Sequence, residues 1–490
     1  MLRITRLLAT SLLIAVATPQ GRGQTPVARD SISLQQDLSE FEGVYRYRDG
    51  ATLAMVANGG RLVAIIGEAK YLLRAVATDT FTNPSGHPIP FLRDTAGRVV
   101  AFEEYGDTFP RLSTVIGTET RQLLVPRSPG QDGRPPRYRC TPPPALADGI
   151  RVGEMGPGTL PCAVAEQAVN GVLDGTYPDV RALVVHHKGS LLLEEYFYGY
   201  GQDRPHQMRS LTKSVISLLA GAAVDRGLLR ADEPVVAKLG YDSIANPDPR
   251  KDRITLTDLL SNQSGLACDD HDGASPGNEV KLYDTADWPK AFVDLPVLAE
   301  PGTIGRYCSF GFITAGRAIE LAARKPLAEF AQEVLFDPLG VSPAQWRWTF
   351  VLDRSQRNEF GQIYLRPRDM LKLGLLIHQR GVWQGRRVIS ESWIDAAVAK
   401  QSRVDDSDYG LGIWHRWYAV PTADGTQRVE TIMLSGNGGQ KVYVVPALDL
   451  VAVFTGGTFN VESAVNTLMA GVLLPALLDV RAAPGPAGHD

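Results

Sequence analysis

Between residues 38 and 115, short apolar stretches alternate with turn signals: Asn58-Gly59-Gly60 separates 51–56 from 61–66, and the segment from Asp94 to Gly97 separates 90–93 from 99–104. Short strands around such turns form hairpins, so the pattern predicts a small antiparallel β domain over residues 38–124. No catalytic constellation falls within it. Its His87, in Ser85-Gly86-His87-Pro88, reads as a loop residue. From 125 to 149 the chain becomes rich in Pro, Gly and Arg, through Pro135-Pro136 and Pro142-Pro143-Pro144, and reads as an extended linker.

Residues 150–480 mix the two periods. Stretches 180–185 and 191–197 flank Lys188-Gly189 as a pair of strands, and the chain then turns helical. Ser210 precedes the stripe Leu211, Val215, Leu218, Ala222, spaced i, i+4, i+7, i+11, and Gly227 lies where a C-terminal cap falls. Toward the other end, 409–414, 428–433, 441–445 and 450–454 read as strands, with Asp424-Gly425 as a hairpin turn. Strands at both ends with helices between predict an α/β (α+β) domain over 150–480, one sheet closed by its two ends around a helical middle. The last ten residues, 481–490, are mostly Ala, Pro and Gly and read as a disordered tail.

The N-terminus adds a compartment. Arg3 and Arg6 precede an apolar run from Leu7 to Ala17 that ends in Ala15-Val16-Ala17, a small-x-small cleavage pattern, so residues 1–23 read as a secretory signal and the protein as periplasmic or secreted. The run is shorter than the roughly 20 residues a membrane span needs, and no stable transmembrane segment is expected after its removal. The full 490 residues suit two or three domains. With 44% hydrophobic and 21% charged residues and a net charge of −4, neither disorder nor a polyelectrolyte partner such as nucleic acid is implied. The sequence carries no signal for oligomeric state.

Cys140, Cys162, Cys268 and Cys308 permit two disulfides in an exported chain, with three possible pairings. Cys140 with Cys162 and Cys268 with Cys308 are favoured, because the first two flank the segment entering the larger domain and the second two lie near the motifs below. Unpaired buried thiols are the competing reading. No Cys-x-x-Cys or His-Glu-x-x-His spacing marks a metal site, and no cofactor is expected.

Chemistry enters at Ser210-Leu211-Thr212-Lys213. A serine hydroxyl is a weak nucleophile and needs a base within hydrogen-bond reach, here a lysine kept neutral by burial. Residues i and i+3 share a helix face, so Ser210 and Lys213 point together, and the helix N-terminus favours a developing oxyanion. The bland reading is an N-capping serine followed by a solvated lysine. This is the only Ser-x-x-Lys in the chain.

With the strand pair before it and the apolar helix after it, this run resembles the first motif of the serine β-lactamase and penicillin-recognising enzyme family. Pro301-Gly302-Thr303-Ile304-Gly305-Arg306-Tyr307-Cys308-Ser309 is similar to the second motif in its Tyr-x-Ser form, and Asn437-Gly438-Gly439-Gln440 stands where the third, Lys/His-x-Gly, falls. Leu259-Leu260-Ser261-Asn262-Gln263-Ser264-Gly265-Leu266, Asp337-Pro338-Leu339-Gly340 and Arg366-Pro367-Arg368-Asp369-Met370 resemble connecting segments of the class-C-like branch. Within that branch the Gly-Asn-Gly-Gly-Gln stretch, and Cys268 with Tyr307-Cys308-Ser309, look closest to the 6-aminohexanoate-dimer hydrolases and related esterases. The resemblance covers about residues 160–475. It implies a β-lactamase-like antiparallel sheet flanked by helices, plus a helical subdomain. It also implies Ser210 as nucleophile, Lys213 as its base partner, and Tyr307 as a phenol sharing protons with Lys213 and serving the leaving group. Ser309 would complete that relay and contact substrate together with Asn437, Gly438 and Gly439. The backbone N–H groups of Ser210 and Gln440 would hold the oxyanion. Against these roles stand plainer ones: a half-buried tyrosine, a turn hydroxyl, and a tight turn at Asn437-Gly438-Gly439.

The third motif lacks the cation or hydroxyls with which β-lactamases and peptidases hold a substrate carboxylate, which argues for neutral esters or amides unless an Arg or Lys from elsewhere compensates. Gly273-Ala274-Ser275-Pro276-Gly277 matches a Gly-x-Ser-x-Gly elbow, but Pro276 has no N–H to offer an oxyanion. The acidic run Asp269-Asp270-His271-Asp272 lacks calcium-loop spacing and reads as a solvated loop rimming the cleft. The resulting expectation is an exported serine hydrolase acting through an acyl-enzyme on ester or linear amide bonds of small-molecule substrates. The alternatives are a non-hydrolysing penicillin-binding or acyl-sensing protein, and a β-lactamase or D,D-peptidase.

Overall fold

The structure is a computed structural model and describes residues 37–482, except 48–50, 85, 130–135, 284, 349–361, 423–424 and 460–461. The expected leader over residues 1–23, Asp424 of the expected hairpin turn and residues 483–490 of the expected tail lie outside the described residues; Arg481 and Ala482 close the last helix, Leu474–Ala482, rather than opening a tail.

The alternating N-terminal segment forms eight strands: β1 (Gly43–Arg46), β2 (Thr52–Asn58), β3 (Arg61–Ile66), β4 (Ala69–Ala77), β5 (Thr80–Thr82), β6 (Pro88–Arg93), β7 (Val99–Glu104) and β8 (Asp107–Ser113). Each pairs antiparallel with the next, and β8 pairs with β1, so the sheet closes into a barrel. Hairpin signals cannot show closure, because it depends on the register between the first and last strands. β3 explains how the barrel is fixed. Leu62 and Ala64 face its interior, whereas Val63 and Ile65, with Val56 of β2, join the core of the larger domain beside Leu123, Phe197 and Tyr198. A strand buried on both faces reads as a continuous apolar run rather than an alternation.

The larger domain is built on an eight-stranded antiparallel sheet. Edge to edge it runs Ser190–Tyr196, Val180–His187, Leu450–Gly456, Gln440–Val445, Gly425–Gly436, Trp414–Thr422, Ser407–Tyr409 and Ser402–Val404. The N-terminal hairpin therefore lies against the C-terminal strand, as the sequence predicts. The central strands Val180–His187 and Leu450–Gly456 are buried along their whole length because both faces are covered. Val442, Val444, Val451 and Val453 face the helices Leu211–Asp225 and Pro367–His378; Tyr443, Val445, Ala452 and Phe454 face Cys162–Leu173 and the C-terminal helices. The expected linker is irregular but fastened: Cys140 bonds Cys162, Arg368 donates to the Pro144 carbonyl at 2.6 Å and pairs with Asp148 at 2.9 Å.

One strand expectation changes. Residues 409–414 are not a single strand but break after Tyr409 and resume at Trp414. The break is the price-free consequence of two glycines pressed against helices: a Cβ on Gly410 would meet the Ala397 carbonyl at 2.1 Å, and one on Gly412, at φ +72°, the Lys213 carbonyl at 2.9 Å. Ser214 Oγ donates to the Gly412 carbonyl at 2.6 Å, and the Gly412 N–H donates to Leu260, which locks the break onto the Ser210 helix.

Crowding separates two glycines of equal handedness. Gly227, at φ +67° past the end of that helix, has open space around its would-be Cβ. Gly227→Ala is expected to cost about 1–2 kcal/mol, the left-handed penalty alone, and Gly412→Ala clearly more, by urea unfolding of each variant; equal losses would show that the Gly412 contact with the helix carries no weight.

Candidate active site

Ser210 immediately precedes a helix that is buried all round, since Leu211 through Ala223 are all buried. Such a helix sits inside the fold rather than on it. The approach is strained: Arg209 has φ +51°, a conformation costing a non-glycine residue about 1–3 kcal/mol that is typical of functional sites. Met208 is held on both sides. Its N–H donates to the Ile363 carbonyl at 2.9 Å, and its own carbonyl lies so near Gly436 that a Cβ there would stand 2.1 Å away.

Ser210 makes no side-chain cap, so the reading of it as an N-cap does not hold. Its hydroxyl instead accepts from Lys213 Nζ at 3.0 Å. The Leu211, Thr212 and Lys213 N–H groups are taken by the Met208, Arg209 and Ser210 carbonyls. Among the described residues the Ser210 N–H has no acceptor, as an oxyanion donor requires.

A second buried helix, Ser309–Ala323, packs against the first and begins at the Tyr-x-Ser motif. Lys213 Nζ donates to Ser309 Oγ at 2.9 Å and lies 4.7 Å from the centre of the Tyr307 ring. Tyr307 is held between two rings, stacked with His271 at 5.0 Å and tilted against Trp414 at 5.5 Å. Asn262, in a left-handed conformation, clamps this loop by accepting the Cys308 N–H at 3.0 Å with its side chain and the Arg306 N–H at 2.9 Å with its carbonyl.

The acidic run is more than a solvated rim. Asp270 Oδ2 accepts from both the N–H and the hydroxyl of Ser309, at 2.8 and 2.7 Å, and Glu279 Oε2 stands 3.1 Å from the same hydroxyl. The disulfide Cys268–Cys308 and the Asp270 N–H to Tyr307 carbonyl bond bring the run there. His271, Asp272 and Gly273 remain exposed. Both favoured disulfide pairings are present. Ser275, the rejected elbow serine, is buried and donates to the Ala267 carbonyl.

These carboxylates alter the charge expected of Lys213. Burial alone would pull its pKa down, but electrostatic interaction with Tyr307, Asp270 and Glu279 outweighs desolvation and holds it above the ordinary lysine value. The expected neutral amine is therefore an ammonium at rest. Burial pushes the Asp270 carboxyl up to about 6, against the pull of Lys213.

Of the third motif, Asn437 is exposed, while Gly438 and Gly439 are buried with φ of +88° and +95°. A Cβ on Gly438 would strike Phe459 at 2.7 Å and one on Gly439 Ser463 at 2.6 Å, so only glycine fits either place. Gln440 pairs with Gly436, and its side chain donates to the Gly456 carbonyl at 2.8 Å. Arg209 lies across the Phe459 ring at 4.6 Å, which sets a cation beside this hairpin.

An antiparallel sheet bearing a buried helix that opens with paired serine and lysine, with a tyrosine loop folded on the lysine, is the arrangement of a serine hydrolase. The sequence pattern of the beta-lactamase family matches residues 164–465, more than half of the chain, and the chain belongs to that family. It is 25% identical over 291 residues to the 6-aminohexanoate-dimer hydrolase of Paenarthrobacter ureafaciens, covering 54% of this chain and 70% of that one. To the esterase EstB of Burkholderia gladioli it is 26% identical over 149 residues, 29% of this chain and 38% of the relative. It thus spans well under half of the latter. A penicillin-binding protein homologue from Caulobacter crescentus shares the fold, with TM-score 0.50 and 17% identity over 67% of this chain and 99% of the other.

Activity is expected to fall as pH drops through about 6, where Asp270 takes up a proton and Lys213 loses a counter-charge. Because the folded carboxyl binds that proton more tightly than an unfolded one, stability should fall as pH rises from about 4 to about 6. In Asp270→Asn the acidic limb of the pH–rate profile should vanish; an unchanged limb would assign it to another group.

Proposed function

We propose that this serine hydrolase is exported and cleaves ester or linear amide bonds of small neutral substrates through an acyl-enzyme. The observation that carries the reading is the 3.0 Å contact between Lys213 Nζ and Ser210 Oγ at the start of a buried helix. Ser210 attacks the carbonyl carbon. A charged Lys213 cannot accept the serine proton, so Tyr307 accepts it as a phenolate whose charge the adjacent ammonium offsets, and becomes a neutral phenol. The Ser210 N–H, with that of Gln440, holds the oxyanion. Tyr307 then protonates the leaving group, and water releases the acyl group by the reverse path. Ser309 orients the ammonium and, with Asn437 and the Gly438-Gly439 turn, borders the bound substrate.

The names of the relatives support amide and ester substrates, one being a 6-aminohexanoate-dimer hydrolase and another an esterase. The two disulfides and the charged-then-apolar leader support export. A second reading, in which the substrate bears a carboxylate as β-lactams and D-alanyl peptides do, is favoured by Arg209 beside the third motif.

Hydrolysis of p-nitrophenyl butyrate, 6-aminohexanoate dimer and nitrocefin by wild type, Ser210→Ala and Arg209→Ala separates these readings. Ester or amide turnover is expected, lost by a factor of about 10³ or more in Ser210→Ala and retained in Arg209→Ala. Equal turnover in wild type and Ser210→Ala would remove Ser210 from the chemistry; stoichiometric acylation without turnover would mark an acyl-binding protein, and nitrocefin cleavage that depends on Arg209 would favour the second reading.

A further inference from the structure

The N-terminal barrel is packed at one end and hollow at the other. Phe41, from the short helix Leu38–Phe41, meets Phe81 at 5.1 Å and Phe91 at 4.8 Å, and Tyr45 donates to the Phe41 carbonyl, which plugs that end. Beyond the plug lies a cavity of about 180 Å³, walled by Leu53, Met55, Ile66, Leu73, Ile89 and Phe102. An eight-stranded barrel is wide enough to be filled by its own side chains or to hold one small ligand.

Glu104, 8% exposed, lines the same cavity together with Tyr47, Tyr71 and Asn83. It accepts from the Tyr47 hydroxyl at 2.6 Å and from Asn83 Nδ2 at 3.2 Å. A carboxylate has about four acceptor positions, and among the described residues no Lys, Arg or His pairs with this one. Burying such a charge without an opposite partner is costly, and a core built only for stability has no use for one.

We propose that the barrel binds a small primary amine, its ammonium on Glu104 and its apolar body against Leu53, Met55 and Phe102. An apolar cavity of about 150 Å³ accepts benzene, so the ligand has roughly six to nine non-hydrogen atoms. This site is separate from Ser210: none of its residues takes part in the hydrolytic cluster.

Calorimetric titration of the full chain with benzylamine, toluene and benzoate tests it. Benzylamine should bind one to one, equally to wild type and Ser210→Ala, at least about tenfold more tightly than toluene, with no binding of benzoate. Glu104→Gln, which keeps the shape and the Asn83 and Tyr47 neighbours, should weaken benzylamine about tenfold or more, and Ala64→Leu, which fills the cavity from its wall, should abolish binding while ester turnover is unchanged in both. Benzylamine binding that is absent from folded wild type, lost in Ser210→Ala, or unaltered in Glu104→Gln and Ala64→Leu overturns the proposal.

Discussion

Lys213 keeps its charge at a place where water barely reaches it, 6% exposed, and each of its partners comes from a different part of the chain. Ser210 stands at the start of its own helix, Tyr307 and Ser309 at the start of the helix Ser309–Ala323, Asp270 in the acidic loop and Glu279 at the start of the short helix Glu279–Tyr283 that follows that loop. Removing water from an ammonium costs several kcal/mol, and only close opposite charge and hydrogen bonds offset that. The two helices must therefore start side by side, and the segment 270–279 must turn its two carboxylates inward. A shift in any of the three leaves the charge uncompensated.

The surrounding constraints follow from that requirement. Cys268–Cys308 ties the acidic loop to the second helix one residue before Ser309, and Asn262 holds the same turn through two N–H groups. Gly412 lets the sheet approach the backbone of Lys213 itself, and Gly436 does the same for Met208. The left-handed Arg209 takes up the remaining strain at the point where the chain changes from strand to helix. The same charge redistributes the proton chemistry. A neutral amine could act as base alone, whereas an ammonium can only steady negative charge, so in the proposed mechanism the proton-accepting role falls to the Tyr307 phenolate.

The fold was legible where local pattern and tertiary burial agree. The strand pairs, the helix after Ser210 and the juxtaposition of the chain's two ends follow from periodicity that burial reinforces. The barrel's closure was not legible, since no local signal reports the pairing of β1 with β8, nor was the break at Gly410, which arises from contacts with Ala397 and Lys213 far along the chain. At the site, Ser210, Lys213, Tyr307 and Ser309 were readable through ordered motifs. Asp270 was not, because an acidic run looks solvated until one knows where it is tethered. The signal existed: Cys268 stands two residues before Asp270, and its favoured partner is next to Ser309.

The barrel is held to the hydrolase domain by more than a linker. Its β3–β4 turn offers Glu68, whose carboxylate pairs with Arg204 at 2.8 Å and whose carbonyl accepts from Arg181, while Lys70 donates to Asp179 and to the Leu123 carbonyl. Arg181 lies over the Phe459 ring at 5.9 Å from its centre, and Arg209, next to Ser210, at 4.6 Å. Gly438 packs against that same ring. The ring that supports the third motif is thus steadied by a cation whose own position depends on the barrel. Deleting the barrel would both uncover Phe197 and Tyr198, which now share a core with Val63 and Ile65, and release Arg181 from the Glu68 carbonyl. The N-terminal domain therefore belongs to the architecture that shapes the cleft, whatever it also binds.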